Sequence, residues 1–340
     1  MLLVVIMARA RESLIDLDAT PYYHCINRCI RRSYLCGDDK YSGNNFDHRR
    51  TWLVDRIKFL STVFSIDIAA YAIMSNHYHL VLKVNREEAL SLSNDDVIER
   101  WYQLYHGCIL VDRYRSGEKL NAAYMFRINE IVNEWRIRLY DISWFMRSLN
   151  EFIARKANKE DDCTGKFWEG RFKSQALLDE SAILSCMMYV DLNPIRAKMV
   201  DSLIDSDFTS IQERIKQYQS FKKQDKSKNS KSNKKPEFTV LQQPKLLLEF
   251  GCSMDKNTIP FTLFDYLELA DFSSRLIVPN KRGSVLKTTP KILAVLNIEV
   301  DSWLNTIQHF RRHYANFAGS KSSLMKCAHS HNHSWYKGSA

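Results

Sequence analysis

The chain of 340 residues has no uninterrupted apolar stretch long enough to cross a bilayer. The opening segment 1–6 is apolar but far too short to span one, and it lacks the charged start and cleavage site of a signal peptide. We therefore expect a cytoplasmic protein without a membrane partner. The eight cysteines are scattered, with no spacing typical of a zinc knuckle, so reduced thiols are the simplest interpretation.

Acidic residues are the minority charge, with 39 Asp and Glu against 49 Lys and Arg, and a formal net charge of +10. This balance favours an anionic partner. Segment 222–235 holds seven lysines against one aspartate, a net +6. Its composition predicts a basic flexible linker, placed at 201–237, in which residues 201–221 could also be helical. The lysines would still add salt-sensitive affinity for phosphate.

Alternating and helical patterns follow one another through the first 200 residues. The predicted elements are, in chain order, strand 21–30, helix 46–64, strands 66–73 and 77–84, helix 142–157, strand 172–178 and helix 182–192. This order predicts an α+β fold with an antiparallel sheet and packed helices. Residues 85–140 form an aromatic-rich insertion that we expect to be helical, and the region 238–340 is also predicted to be mainly helical.

Two histidines with one residue between them, His77 and His79, lie on the alternating segment 73–82. Side chains at i and i+2 of a strand share a face, so both rings would point the same way. Such a pair can hold one divalent ion from one side and leave its other positions open. The alternative is that the two histidines simply lie on a strand near the surface and bind no metal.

Four sequence pieces carry a resemblance to a known family. They are Tyr23–Arg28 (YHCINR), Ser75–His79 (SNHYH), Gly165–Ser174 (GKFWEGRFKS) and Tyr189–Met199 (YVDLNPIRAKM). In these pieces and in their order the chain resembles the HUH single-tyrosine transposases, and within them the REP-associated tyrosine transposases of bacteria. Two features depart from the family pattern: Tyr78 stands where a plain hydrophobe is more usual, and 85–140 is a long insertion.

The resemblance implies an HUH, ferredoxin-like fold over residues 18–200 and an enzyme that cleaves and rejoins single-stranded DNA near a hairpin. It implies that His77 and His79 bind a divalent metal, that Tyr189 forms a 5′-phosphotyrosine, and that Asn193 completes the metal site. Mg²⁺ or Mn²⁺ is the expected ion, although imidazole ligands suit zinc or other transition metals equally well. Tyr189 could instead simply pack its ring, and Asn193 could be a helix C-cap.

Basic and aromatic residues flank the motifs and suit contacts with nucleic acid. The candidate DNA-binding residues are His24, Arg28, Arg31, Arg32, Arg171 and Lys173. For His24, which shares the predicted face of the histidine pair, a structural role is an equal alternative. Phe167 and Trp168 could stack on unpaired bases, but the core is the alternative home for at least one of them.

Two further functional classes compete with the transposase-like enzyme. One is a catalytically silent regulator that binds hairpin DNA, and the other is a metal-dependent RNA nuclease. Binding alone does not require two histidines, a tyrosine and an asparagine together, and an attacking tyrosine suits transfer and rejoining better than hydrolysis. The sequence therefore favours the DNA enzyme, either as a monomer or as a homodimer.

Overall fold

The computed structural model describes residues 14–30, 35–38, 43–228, 246–251, 257–277 and 289–338. The strands of this part are β1 (Tyr22–Arg28), β2 (Ile66–Ile73), β3 (His77–Val84), β4 (Lys173–Leu177) and β5 (Phe317–Ala318). The helices are α1 (His48–Val63), α2 (Arg86–Ser91), α3 (Asn94–Tyr102), α4 (Ile109–Arg115), α5 (Ala122–Leu139), α6 (Ile142–Glu160), α7 (Glu180–Asp191), α8 (Asn193–Arg196), α9 (Ser210–Lys228), α10 (Leu263–Ile277), α11 (Lys291–Val295), α12 (Val300–His313) and α13 (Lys321–Ser330). Within these described ranges no helix is both long and apolar enough to cross a membrane.

The strands form one sheet with the order β2-β3-β1-β4-β5. Strand β1 pairs antiparallel with β4, and this register sets His24 opposite Gln175. Strand β5 pairs parallel with β4, with Ala176 opposite Phe317. The predicted α+β class is confirmed, but the sheet is not purely antiparallel. The sequence pattern missed β5 because two residues are too short to register an alternation.

Helix α7 begins and ends where local chemistry predicts. The side chain of Asp179 accepts a hydrogen bond from the Ala182 N–H at 2.9 Å and so caps the first turn. The helix ends at Asp191, and α8 starts at Asn193 with a proline in its first turn. A proline is tolerated there because the first N–H groups of a helix have no partner within it. The predicted end before Asn193 and Pro194 is confirmed.

The described chain divides into two compact units, and unit 2 comprises Arg28–Ile68 and Lys83–Arg171. In this unit the insertion forms helices α2 to α5, as expected. Trp101 of α3 stacks on Trp135 of α5 with ring centroids 5.3 Å apart. Buried Arg49 of α1 pairs with Glu160 at the end of α6, at 2.6 Å. Stacked aromatic rings and a paired buried charge therefore stabilise unit 2.

Unit 1 comprises the described parts of Met1–Asn27, Ala69–Leu82 and Phe172–Ala340. Its core surrounds α7, whose residues from Ala182 to Asp191 are all buried. Trp303 of α12 is completely buried in the same core, and its indole N–H donates to Ser273 Oγ at 2.9 Å. The helices that follow residue 257 thus share a hydrophobic core with the helix that carries Tyr189.

Residues 201–228 lie in the region assigned to a flexible linker, but they are helical over much of their length, as the alternative for 201–221 allowed. They include α9, whose first turns are packed into unit 1. Buried Arg214 donates to the carbonyl oxygens of Ala69 and Leu248, at 3.0 and 2.8 Å. The composition was misleading because four of the five lysines of this helix lie in its last seven residues, 222–228. The remainder of the predicted linker, 229–237, lies outside the described residues.

A buried carboxylate joins α7 to α9 and α10. Asp191 is 0% exposed and accepts hydrogen bonds from Ser210 Oγ at 2.5 Å, the Ile211 N–H at 3.1 Å and Tyr266 Oη at 2.5 Å. Burial raises the pKa of Asp191 to about 6, against the lowering effects of these hydrogen bonds and of the Arg214 charge. The Asp191 carboxyl therefore loses its proton at a higher pH in the folded protein than in the unfolded chain.

Replacing Asp191 with asparagine should remove a pH dependence of stability between roughly pH 4 and 6. In that window the folded protein keeps a proton that the unfolded chain has lost, so wild-type stability falls as the pH rises. A shift from 3.8 to about 6 corresponds to roughly 3 kcal/mol. The unfolding free energy of Asp191→Asn minus that of wild type should rise by that order from pH 4 to pH 7, measured by urea denaturation.

Thr51→Ala, at an exposed position of α1, removes no titratable group and is the control, so its difference from wild type should stay constant with pH. A constant difference for Asp191→Asn would contradict the raised pKa.

Candidate active site

The hairpin of β2 and β3 presents the two motif histidines to one face of the sheet. Its turn is closed by the Met74 N–H, which donates to the His77 carbonyl at 2.8 Å. The rings of His77 and His79 lie with centroids 4.9 Å apart. His77 is partly exposed and His79 is 2% exposed, while Tyr78 between them is buried. The expected pairing of the two histidines on one face is therefore present.

Helix α7 brings Tyr189 to these histidines. The Tyr189 ring meets the edge of His79 with centroids 5.6 Å apart and the edge of His24 at 5.9 Å. Tyr189 is 8% exposed, so its ring is held in place by packing on several sides. The tyrosine and histidines singled out from the sequence, 110 residues apart, thus form one cluster.

Asn193 lies one helical turn after Tyr189, at the start of α8. Its side chain is buried, and its Nδ2 atom has no hydrogen-bond partner in the described part of the chain. An unpartnered buried amide is costly unless something else binds to that side chain.

His24 connects the cluster to the neighbouring strand β4. Its Nε2 lies 2.9 Å from His79 Nδ1, and its Nδ1 lies 3.3 Å from Gln175 Oε1. Gln175 in turn donates from Nε2 to the Ala315 carbonyl at 2.7 Å. Since His24 is buried and uses both ring nitrogens within the protein, the structural alternative is favoured over a contact with DNA.

Burial keeps the inner imidazoles uncharged. It lowers the pKa of His24 to about 3, and the charges of Arg311 and Arg196 act in the same direction. Burial also lowers the pKa of His79 well below its ordinary value, with further lowering by the neighbouring histidines and the same two arginines. An uncharged imidazole is the form that can act as a metal ligand.

Arg196, in the second half of the tyrosine motif, covers the nucleophile candidate. Its guanidinium lies 3.9 Å from the centre of the Tyr189 ring and donates to the Tyr189 carbonyl at 3.0 Å. A second donation reaches the Gln308 carbonyl on α12 at 3.2 Å. Burial lowers the pKa of Arg196, but a guanidinium stays protonated in proteins. A fixed positive charge therefore lies against the tyrosine.

Phe310 of α12 forms the apolar wall of the cluster. Its ring lies 5.7 Å from that of Tyr189 and 6.2 Å from that of His24, and it is completely buried. Sequence reasoning did not identify Phe310, Gln175 or Arg196. Only Arg196 carried a local signal, because it belongs to the motif that contains Tyr189.

The chemistry of His79 is compatible with the expected metal. Throughout the described ranges no group of three or more His, Cys, Asp or Glu side chains is arranged to hold a metal ion. The predicted set, however, has only two histidines and takes its third ligand from an amide. His79 Nε2 is buried and has no hydrogen-bond partner among the described residues, which is the state expected of an atom that a metal would occupy.

The predicted DNA contacts other than His24 lie at the surface or outside the described residues. Arg28 and Arg171, in unit 2, and Lys173, in unit 1, are exposed. Arg31 and Arg32 lie outside the described residues. Phe167 is buried, and the indole N–H of Trp168 donates to the Asn150 carbonyl at 2.9 Å. Phe167 is therefore a core residue.

Comparison with protein-family models gives no match, and no curated protein matches the sequence. Among solved structures, the chain is similar to a REP-associated tyrosine transposase bound to a REP hairpin. The similarity covers 57% of this chain and 79% of that chain, with 13% sequence identity and a TM-score of 0.34. A likeness of this extent assigns neither a family nor an activity.

The packing of Phe310 gives a direct test of the site's apolar wall. Phe310→Ala should lower the free energy of unfolding by about 3–5 kcal/mol, because it leaves a cavity beside Tyr189 and His24. Denaturant unfolding at neutral pH measures the loss. Phe264→Ala, on α10 in the same unit, removes a ring that is 55% exposed and should cost far less. Equal losses in the two variants would show that Phe310 is not a core residue.

Proposed function

We propose that this protein is a metal-dependent enzyme that cleaves and rejoins single-stranded DNA near hairpins through a 5′-phosphotyrosine on Tyr189. One observation carries the proposal: the Tyr189 ring lies 5.6 Å from that of His79, whose buried Nε2 has no hydrogen-bond partner in the part of the chain that the structure describes. The DNA substrate and the HUH, ferredoxin-like fold come from the four motif pieces and belong to the same proposal.

Tyr189 acts as the nucleophile. Its phenol oxygen forms a bond to the phosphorus of a DNA phosphodiester, and the bond from that phosphorus to the 3′-oxygen breaks. The phenol loses its proton, and the departing 3′-oxygen gains one, so the products are a 5′-phosphotyrosine and a free 3′-hydroxyl. Rejoining reverses these steps when a 3′-hydroxyl attacks the phosphotyrosine and releases the tyrosine.

His77, His79 and Asn193 would hold the divalent ion, Mg²⁺ or Mn²⁺. Such an ion supplies charge neutralisation at the phosphate and stabilises the leaving oxygen. The donors contribute no formal charge, because burial keeps His79 uncharged and an amide carries none. The full positive charge of the ion would therefore face the phosphate.

Arg196 supports the same chemistry from the other side of Tyr189. As the phenol loses its proton, negative charge develops on a ring that lies 3.9 Å from the guanidinium carbon. A fixed cation aimed at developing charge lowers the barrier more than it would in water, since the environment is buried. The two backbone hydrogen bonds of Arg196 hold this charge in position.

The exposed cations Arg28, Arg171 and Lys173 suit contacts with DNA phosphates, which fix position without reading sequence. All the groups assigned to the chemistry come from one chain. The proposal therefore applies to a monomer and equally to a homodimer in which each copy acts alone.

The nucleophile is tested by Tyr189→Phe, which removes only the phenol oxygen. Incubation with labelled single-stranded hairpin DNA and Mn²⁺ should give a covalent protein–DNA band for wild type and none for the variant, while DNA binding stays nearly unchanged. Tyr78→Phe, on the same hairpin but facing away from the cluster, is the control and should keep the band. An undiminished adduct in Tyr189→Phe would eliminate this tyrosine.

The metal ligands are tested by His77→Ala and His79→Ala. Each should lose cleavage by several orders of magnitude, because a bound metal supplies several kcal/mol of charge stabilisation in the transition state. His329→Ala, at an exposed position of α13, is the control and should cleave normally. Single-turnover cleavage with and without a chelator measures the effect, and normal cleavage in excess chelator would refute the metal requirement.

A further inference from the structure

The amide of Gln175 has only one orientation that its surroundings allow. Its Nε2 lies 2.7 Å from the carbonyl oxygen of Ala315, which can only accept a hydrogen bond. The opposite orientation would bring two oxygen atoms together without a proton between them. The Gln175 NH₂ group therefore donates to Ala315, and Oε1 is the atom that faces His24 at 3.3 Å.

This orientation determines where the protons of both buried histidines lie. Because Gln175 Oε1 can only accept, His24 must carry its proton on Nδ1 and donate it. In an uncharged imidazole the other nitrogen is then an acceptor, so His24 Nε2 accepts from His79 Nδ1–H at 2.9 Å. His79 is thereby left with an unprotonated Nε2, the buried atom for which the described ranges offer no hydrogen-bond partner.

We propose that Gln175 and His24 are positioning residues that fix the tautomer of His79, so that its Nε2 lone pair is available to bind a metal ion. The chain of hydrogen bonds starts at the Ala315 carbonyl, between α12 and β5, and ends at the site. The segment that follows α12 therefore contributes to the proposed metal site, because its Ala315 carbonyl orients Gln175. The metal-binding part of this inference rests on the proposed function, but the tautomer does not.

The position of the proton on His77 is likewise fixed by a neighbouring residue, Asn76. The Asn76 Oδ1 atom accepts from His77 Nδ1 at 2.6 Å, so whenever the His77 ring is uncharged its lone pair is on Nε2. Both motif histidines thus carry their protons on Nδ1. A partner that fixes the second nitrogen of a ligating histidine is a general feature of metal sites, and its removal weakens metal binding roughly 10- to 100-fold.

The test uses the full-length, metal-free protein with ¹⁵N-labelled histidine, since ¹⁵N chemical shifts distinguish protonated from unprotonated ring nitrogens. Wild-type His79 should show an unprotonated Nε2 and a protonated Nδ1. Gln175→Met keeps the size of the side chain but removes the acceptor, so protonated Nε2 should appear at His79. Ser174→Ala, on the same strand, is the control and should leave both signals unchanged.

A titration with Mn²⁺ alone gives the second measurement. Gln175→Met should weaken Mn²⁺ binding roughly 10- to 100-fold relative to wild type and to Ser174→Ala. If Gln175→Met does not fold, His24→Phe removes the next member of the chain while keeping a ring, and the same two changes are expected. A wild-type His79 with its proton on Nε2, or unchanged His79 signals in the folded variant, would overturn the proposal. The predicted wild-type tautomer without any Mn²⁺ binding would instead support the relay and refute the metal-dependent function.

Discussion

The hydrogen bond between His24 and His79 is the interaction on which the rest of the site depends. It exists only because β1 lies between β3 and β4 in the sheet, so that His24 can reach Gln175 on one side and His79 on the other. A shift of one residue in the β1–β4 register would turn His24 to the opposite face of the sheet. The register of two strands, in which His24 and Gln175 are 151 residues apart, therefore determines the protonation of a single nitrogen atom.

Helix α7 is the second constraint, since it must hold Tyr189 against that histidine face. Its burial along the whole length from Ala182 requires cover on every side, and the C-terminal helices supply it through Trp303 and Phe310. The buried carboxyl of Asp191, two residues after Tyr189, joins the same helix to α9 and α10. Polar contacts of this kind fix one arrangement where apolar packing alone would tolerate several.

Much of the framework could be predicted from local patterns. Alternation placed His77 and His79 on one face, and the proline after Asn193 marked the end of α7, because both depend on neighbours within a few residues. The meeting of Tyr189 with His79 came only from the motif resemblance, since no local pattern encodes contacts over 110 residues. Gln175 and Phe310 escaped prediction for that reason. The packing of the start of α9 could not be predicted, because the lysines further along dominate the composition of this region.

The proposed chemistry places two opposing electrostatic requirements on the cluster. A metal ligand must be unprotonated, and a phosphate needs positive charge nearby. Burial is the main reason that the imidazoles of His24 and His79 stay uncharged, and the charges of Arg196 and Arg311 act in the same direction. Under the proposed function the same two charges would also attract a phosphate.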